Sequence, residues 1–197
     1  MTARLLVATT NPGKQREFLR LLAHLPAEIV MPAEIGVDLD VEEPHDTYAA
    51  NASVKAVAYC AASGLITLAD DSGIEVAELD WAPGVRSARW GHGSGSKAEQ
   101  LFESLQGATD RRARMVCALA VARPGDPEPI VEIFEGRVEG TVAESPRGIG
   151  GFGYDPIFLL PTGLTAAELP EAEKDRISHR GRAVATATPR LVELLAE

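Results

Sequence analysis

Residues 68–73 read Leu-Ala-Asp-Asp-Ser-Gly, which sets Asp70 and Asp71 side by side after an apolar run and ahead of a glycine. An Asp in such a place serves as a turn or cap residue, because its short side chain hydrogen-bonds local backbone. Two in a row followed by Ser72 also form a compact oxygen-rich site of the kind that holds a hard divalent cation. Glu42 and Glu43 offer a second carboxylate pair, and Lys14, Lys55 and Arg180 offer positive charge. Carboxylates that seat a metal, together with cations for a polyanion, suit water attack on phosphorus. Adjacent carboxylates repel and titrate as a coupled pair unless a cation sits between them. The expectation is a metal seat in a tight turn, with one carboxylate left to activate water.

Three further clusters carry polar groups near strand ends. Thr-Thr-Asn-Pro-Gly-Lys (9–14) reads as a phosphate cradle, with Thr9, Thr10 and Asn11 as hydrogen-bonding groups and Lys14 as the charge. It lacks the glycine spacing of a P-loop, which disfavours a P-loop kinase or ATPase. Gly-Gly-Phe-Gly-Tyr-Asp-Pro-Ile-Phe (150–158) and Glu-Lys-Asp-Arg-Ile-Ser-His-Arg-Gly-Arg-Ala (173–183) form the other two. Each has a plain alternative: an N-cap turn, solvated loop carboxylates, a surface lysine, a tight turn before a strand, an exposed helix face. Together they fall where strand ends and flanking helices converge, the usual ligand site of an α/β protein.

The elements that must carry these groups follow from periodicity. Residues 4–10 form a β-rich apolar run, and Phe18, Leu21, Leu22 and Leu25 recur at helical spacing after Lys14. Strand, glycine-containing turn and helix in that order direct the first backbone N–H groups at whatever lies over the turn. A strand is predicted at 28–32, and an Ala-rich helix at 46–64 with Asp46 as N-cap and Gly64 as stop. The run 65–69 predicts a central strand leading into the Asp pair. Ser96 and Glu99 form a capping box that opens a helix ending at Gly107. Paired strands are predicted at 114–123 and 129–142, joined by the loop 122–129, and another at 154–160. The tail from about 166 reads as helix interrupted at Pro189, with Thr188 as N-cap of a final short helix. The fold class is α/β with a mixed sheet.

Bulk composition sets the outer limits. A chain of 197 residues is long enough for one large domain or two small lobes around a shared sheet. Net charge is −10, from 29 acidic and 19 basic residues, which argues against broad binding to nucleic-acid backbone. A few cations converging on one pocket still bind a small polyanion. No stretch of eighteen apolar residues occurs, so no membrane span is expected. The first residues lack the pattern of a signal peptide. Cys60 and Cys117 are isolated in apolar segments and read as buried thiols in a reducing compartment, so the expected location is cytoplasmic.

The segments Ala-Thr-Thr-Asn-Pro-Gly-Lys-Gln-Arg-Glu-Phe, Leu-Ala-Asp-Asp-Ser-Gly-Ile-Glu-Val with Ala-Pro-Gly-Val-Arg-Ser-Ala-Arg-Trp, and the two clusters at 150–158 and 173–183 resemble the signature segments of the inosine/xanthosine triphosphate pyrophosphatase family. The resemblance runs in order from about residue 4 to 184. It implies Mg²⁺-dependent hydrolysis of ITP, dITP and XTP to the monophosphate and pyrophosphate. It also implies a homodimer whose chain is one two-lobed domain over residues 1–197, built on a long sheet with the cleft between the lobes. It assigns Thr9, Thr10, Asn11, Pro12, Gly13 and Lys14 to the triphosphate, and Lys55 to a phosphate-facing position. Asp71 matches the general base and metal ligand, with Asp70 beside it, Ser72 touching substrate, and Glu42 or Glu43 as the second metal carboxylate. Phe152, Gly153, Tyr154 and Asp155 match the base and sugar pocket, and Lys174, His179 and Arg180 match residues closing over the base. Two departures stand out: Pro44-His45 replaces a Thr-Gly that follows the Glu pair in many members, and Thr10 replaces a frequent Gly.

Three rivals are kept. A nucleotide-binding or sensing module without turnover gains nothing from extra negative charge beside phosphates. A pyrophosphatase for methylated or pyrimidine nucleotides is countered by the resemblance of 150–158 and 173–183 to a purine-selective family. A Mg²⁺-dependent phosphatase differs in its product, orthophosphate.

Overall fold

The computed structural model describes residues 2–90 and 96–196. Its elements are β1 (Ala3–Val7), α1 (Pro12–Leu21), β2 (Ala27–Val30), α2 (Tyr48–Ser63), β3 (Ile66–Val76), α3 (Lys97–Ser104), β4 (Arg112–Arg123), β5 (Ile130–Val142), β6 (Phe158–Leu159), α4 (Glu171–Ile177) and α5 (His179–Ala196). The six strands form one mixed sheet in the order β2-β1-β3-β4-β5-β6. β1 runs parallel to β2 and to β3, with Leu5 opposite Ile29 on one side and Ile66 on the other. β5 and β6 are antiparallel. The α/β class with a mixed sheet is therefore as expected. Among the described residues no helix is long and apolar enough to cross a membrane.

The chain divides into two compact units, Met1–Asp71 with Cys117–Gly136 and Arg180–Glu197, and Ser72–Val116 with Arg137–His179. In the first unit the sheet is covered on both faces, so its strands are apolar throughout rather than alternating. Leu5, Val7, Leu68, Cys117, Leu119 and Val121 pack with Phe18 and Leu22 of α1 and with Ala183, Val184, Ala187 and Leu191 of α5. Leu6, Ala8, Ala69, Ala120 and Ala122 pack with Ala52, Ala56 and Tyr59 of α2. Small side chains on both sides of that second layer let α2 approach the strands closely. Successive strand residues point to opposite faces. Leu68 and Ala69 therefore define the two directions that Asp70 and Asp71 continue.

The second unit has its own core, with Ile74, Val76, Leu101, Leu105, Ile157 and Phe158 fully buried. The expected capping box opens α3: Ser96 Oγ accepts from Glu99 N–H at 3.2 Å and Glu99 Oε2 accepts from Ser96 N–H at 2.7 Å.

Four local expectations are corrected. The Asp pair does not end a strand in a turn, since β3 runs on through both residues to Val76. The N-cap of α2 is Thr47, whose Oγ1 accepts from Ala50 N–H at 3.3 Å, and not Asp46, one residue too early; Gly64 is the stop, with φ +68°. The predicted strand 154–160 is a 3₁₀ turn over Asp155–Ile157 and a two-residue strand, because Pro156 has no N–H to give a ladder. Pro189 lies inside α5 rather than restarting a helix, and Thr188 Oγ1 donates to Val184 O at 2.8 Å instead of capping. A proline in a helix interior costs about 3 kcal/mol. The buried stripe Ala183, Val184, Ala187, Leu191 and Leu194 runs across it and offsets that cost.

Candidate active site

The end of β1 hands the chain to α1 through Thr9, Thr10 and Asn11. Asn11 Oδ1 accepts from the N–H groups of Gly13 (2.9 Å) and Lys14 (3.1 Å), so it is the N-cap. Thr9 Oγ1 accepts from Asn11 N–H at 3.2 Å, and Gln15 Nε2 donates to Thr9 O at 2.9 Å. The turn is thus internally braced. Gly13 is buried and Thr10, Asn11 and Pro12 are exposed. Lys14, one turn into α1, places Nζ 3.0 Å from Asp70 Oδ1.

Asp70 is fully buried at the centre of a charge network on the α1–α5 side of the sheet. Arg180 donates to its Oδ2 from Nη2 at 2.9 Å and from Nε at 3.2 Å, and Cys117 Sγ lies 3.9 Å from the same oxygen. Arg180 Nη1 reaches Glu17 Oε2 at 2.5 Å. Two cations, Lys14 and Arg180, face two carboxylates, Asp70 and Glu17. Burial alone would raise the Asp70 pKa, but the charges of Lys14, Arg180 and Lys55 and the Arg180 hydrogen bonds outweigh it and hold the carboxyl far below the ordinary range. Burial, then the Asp70 charge, pushes the Cys117 thiol up to about 12.

Asp71 points the other way, toward α2, and is 7% exposed. Asn51 Nδ2 donates to its Oδ2 at 3.1 Å. Burial raises the Asp71 pKa; the Asn51 hydrogen bond opposes this, the Glu43 charge adds to it, and Lys14 and Lys55 oppose it, with a net rise. Glu43 is half-buried and ion-paired to Lys55, whereas Glu42 is exposed. The Glu that acts on Asp71 is therefore Glu43.

The picture of one shared seat for both aspartates is corrected accordingly. β3 sends them to opposite faces, with Asp70 neutralised by Lys14 and Arg180 and Asp71 left basic beside Glu43. Titratable neighbours whose pKa values are driven apart in this way are the mark of an acid–base site.

The second unit holds the remaining sequence-predicted residues. Asp155 is buried; its Oδ2 accepts from Phe152 N–H at 2.7 Å and from Lys174 Nζ at 2.6 Å. Lys174 Nζ also lies 5.2 Å from the centroid of the Phe152 ring, within cation–π range. Gly151 has φ +68°, and a Cβ there would stand 2.0 Å from Asp155 Oδ2, so only glycine lets the carboxylate approach. Tyr154 is buried and donates its hydroxyl to Ser87 O at 2.8 Å, so it packs into the core of this unit. A small pocket is lined by Met115, Val138, Phe158, Leu169, Lys174 and His179. Gly153 is exposed and Ser72 is half-buried on β3.

The sequence model of the Ham1 family matches residues 5–189. The chain belongs to the Ham1 family. It is similar to the dITP/XTP pyrophosphatase of Parasynechococcus marenigrum (strain WH8102), with 46% identity over 97% of this chain and 96% of the relative. The dITP/XTP pyrophosphatase of Symbiobacterium thermophilum is 47% identical over 98% of each. Among solved structures, the HAM1 protein from Coxiella burnetii superposes with a TM-score of 0.84 at 38% identity, covering 97% of this chain and 99% of that one.

Three residues of this Ham1 chain to which sequence reasoning gave no place at the site touch its charged groups: Glu17, Asn51 and Cys117. Two had a signal. Glu17 stands three residues after Lys14 and Asn51 four before Lys55, and such spacings share a helix face. Cys117 is marked only by its contact with Asp70.

Arg180 was expected over the base, and its fully buried guanidinium is bound to Asp70 and Glu17. Arg180→Ala removes the Arg180 charge from Glu17 and leaves Lys14 as the remaining ion-pair partner described for Asp70, so we expect a loss of about 3–5 kcal/mol, the scale for breaking a buried pair. In a chain of this size that lowers Tm by roughly 10 °C. Linkage gives a second readout. The folded-state pKa of Asp70 is depressed, so its stabilisation is complete above the unfolded value, about 4, and is lost as pH falls below it. Urea unfolding between pH 6 and pH 2.5 should fall more steeply for wild type than for Asp70→Asn; parallel curves would remove Asp70 from the account.

Proposed function

We propose that this Ham1 protein hydrolyses the non-standard purine nucleoside triphosphates ITP, dITP and XTP to monophosphate and pyrophosphate by water attack on the α-phosphorus. The observation that carries this is the opposed placement of two adjacent carboxylates on β3, Asp70 bound by Lys14 and Arg180 and Asp71 bound by Asn51 on the other side, with Glu43 on its Lys55 partner nearby. The curated relatives' names support the substrate class.

Among the described residues no group of three or more His, Cys, Asp or Glu side chains gathers as a closed metal cage. Mg²⁺ does not ask for one: it is typically held by one or two carboxylates together with substrate phosphates. Asp71 and Glu43 supply that donor set, with Glu43 taking the place the sequence left open between Glu42 and Glu43. When bound, Mg²⁺ supplies charge neutralisation at the phosphates. Lys14 and Lys55 add fixed positive charge there, with the N-terminus of α1 beneath Thr10–Gly13. Asp71 accepts the proton of the attacking water. Arg180, through Asp70, fixes Lys14. For the base we propose Phe152, Lys174 and His179 of the second unit, where Asp155 holds Lys174. A homodimer in the cytoplasm completes the proposal.

The test is the product released from ITP with Mg²⁺ and with excess EDTA. Pyrophosphate that disappears on chelation is expected; orthophosphate, or full activity in EDTA, contradicts the reading. A binding module releases neither.

A further inference from the structure

We infer that Asn51 is a positioning residue that ties the segment carrying Glu43 to the proton-accepting Asp71, an inference that rests on the function proposed above. Asn51 sits in the first turn of α2, is 2% exposed, and its side chain makes three hydrogen bonds. Its Oδ1 accepts from His45 N–H at 3.0 Å. Its Nδ2 donates to His45 O at 3.1 Å and to Asp71 Oδ2 at 3.1 Å.

Glu42-Glu43-Pro44-His45 has no helix or strand of its own. A loop of this kind places a carboxylate no better than its anchors do. Pro44 has no N–H, so the backbone donor at His45 and its carbonyl are the handles next after Glu43, and Asn51 takes both. The same carboxamide then uses its second N–H on Asp71 Oδ2, which fixes that oxygen and with it the orientation of the carboxylate. One amide therefore sets the separation between Glu43 and Asp71. Lys55, one helical turn on, completes the brace from the same face of α2 by pairing with Glu43. Asn is suited to this place because both a donor and an acceptor are needed on one short, uncharged side chain; Asp, Leu or Ser each lacks part of it.

Outer hydrogen-bond partners of metal-ligating and reacting groups typically carry about 10–100-fold in activity or metal affinity. Two variants separate the two ends of the brace. Asn51→Ala loses all three bonds. Asn51→Asp keeps the acceptor for His45 N–H, the bond that protects that amide from exchange, and loses the donations to His45 O and to Asp71. The measurements, on the full chain, are kcat and KM for ITP and backbone hydrogen exchange of the 42–46 segment by mass spectrometry.

The expected result for Asn51→Ala is faster exchange in that segment and kcat lower by about 10–100-fold. For Asn51→Asp it is exchange close to wild type, kcat lower by a similar factor, and KM changed less than about threefold, as for a group that acts on the reacting carboxylate rather than on binding. An Asn51→Asp kcat within threefold of wild type overturns the inference, as does unchanged exchange in Asn51→Ala. Failure of the function itself looks different: wild type would then release no pyrophosphate from ITP, while the exchange comparison would still report the brace.

Discussion

Asp71→Asn is expected to lower kcat on ITP by about 10²–10⁴, the range for losing a positioned general base. The variant keeps the shape of the side chain and, through its carbonyl, the hydrogen bond from Asn51. What it loses is the ability to take a proton and a negative oxygen for a metal. Its stability should not fall. A carboxyl whose pKa is raised on folding opposes folding when ionised, so the neutral amide leaves Tm unchanged or higher. Asp70→Asn is expected to behave in the opposite way, losing stability first, because it leaves Lys14 and Arg180 short of a counter-charge. Kinetics and thermal melts on the two variants check this. Near-wild-type turnover by Asp71→Asn would move the base to Glu43, since the Asp70 oxygens are held by Lys14 and Arg180.

The second large effect is substrate choice. The ratio of kcat/KM for ITP or XTP over ATP should lie around 10²–10⁴, the discrimination reached when a hydrogen-bonding site meets the wrong group. Hypoxanthine and xanthine present an acceptor at the purine 6-position, where adenine presents an amino donor. Donors that meet the oxygen face an N–H₂ group with ATP, and each buried group left unpaired costs about 1–3 kcal/mol. With Arg180 bound to Asp70 and Glu17, and the Phe152 N–H and Lys174 Nζ bound to Asp155, the residue we propose for that role is His179, buried at the small pocket. GTP shares the 6-oxo group, so its rejection has to come from its 2-amino group. His179→Ala should narrow the ITP-to-ATP ratio by at least about tenfold, the worth of one such bond. Equal kcat/KM for ATP and ITP in wild type would defeat the donor pocket, and an unchanged ratio in the variant would take His179 out of it.

Much of the frame was legible because local rules and tertiary structure agree. The apolar runs became β1, β3, β4 and β5, the Ser96–Glu99 box opens α3, and Gly64 stops α2. The errors came where tertiary pairing overrides local chemistry. Asp-Asp-Ser-Gly favours a turn by composition, yet β3 lies between β1 and β4 and continues as a strand. Alternation applied through that run would have parted Asp70 from Asp71; a turn hides the parting. Pro189 reads as a break until α5 is seen to bury one stripe on both sides of it. Which Glu lies near Asp71 depends on a loop path that no local pattern sets, and the core packing of Tyr154 is hidden in the sequence because its hydroxyl partner, Ser87, lies 67 residues away.

The most direct test of the central claim is hydrolysis of ITP in ¹⁸O-enriched water with Mg²⁺, followed by mass spectrometry of both products. Attack on the α-phosphorus by water that gives its proton to Asp71 places one ¹⁸O in the monophosphate and none in pyrophosphate. Label in the pyrophosphate, or in released orthophosphate, would contradict the account.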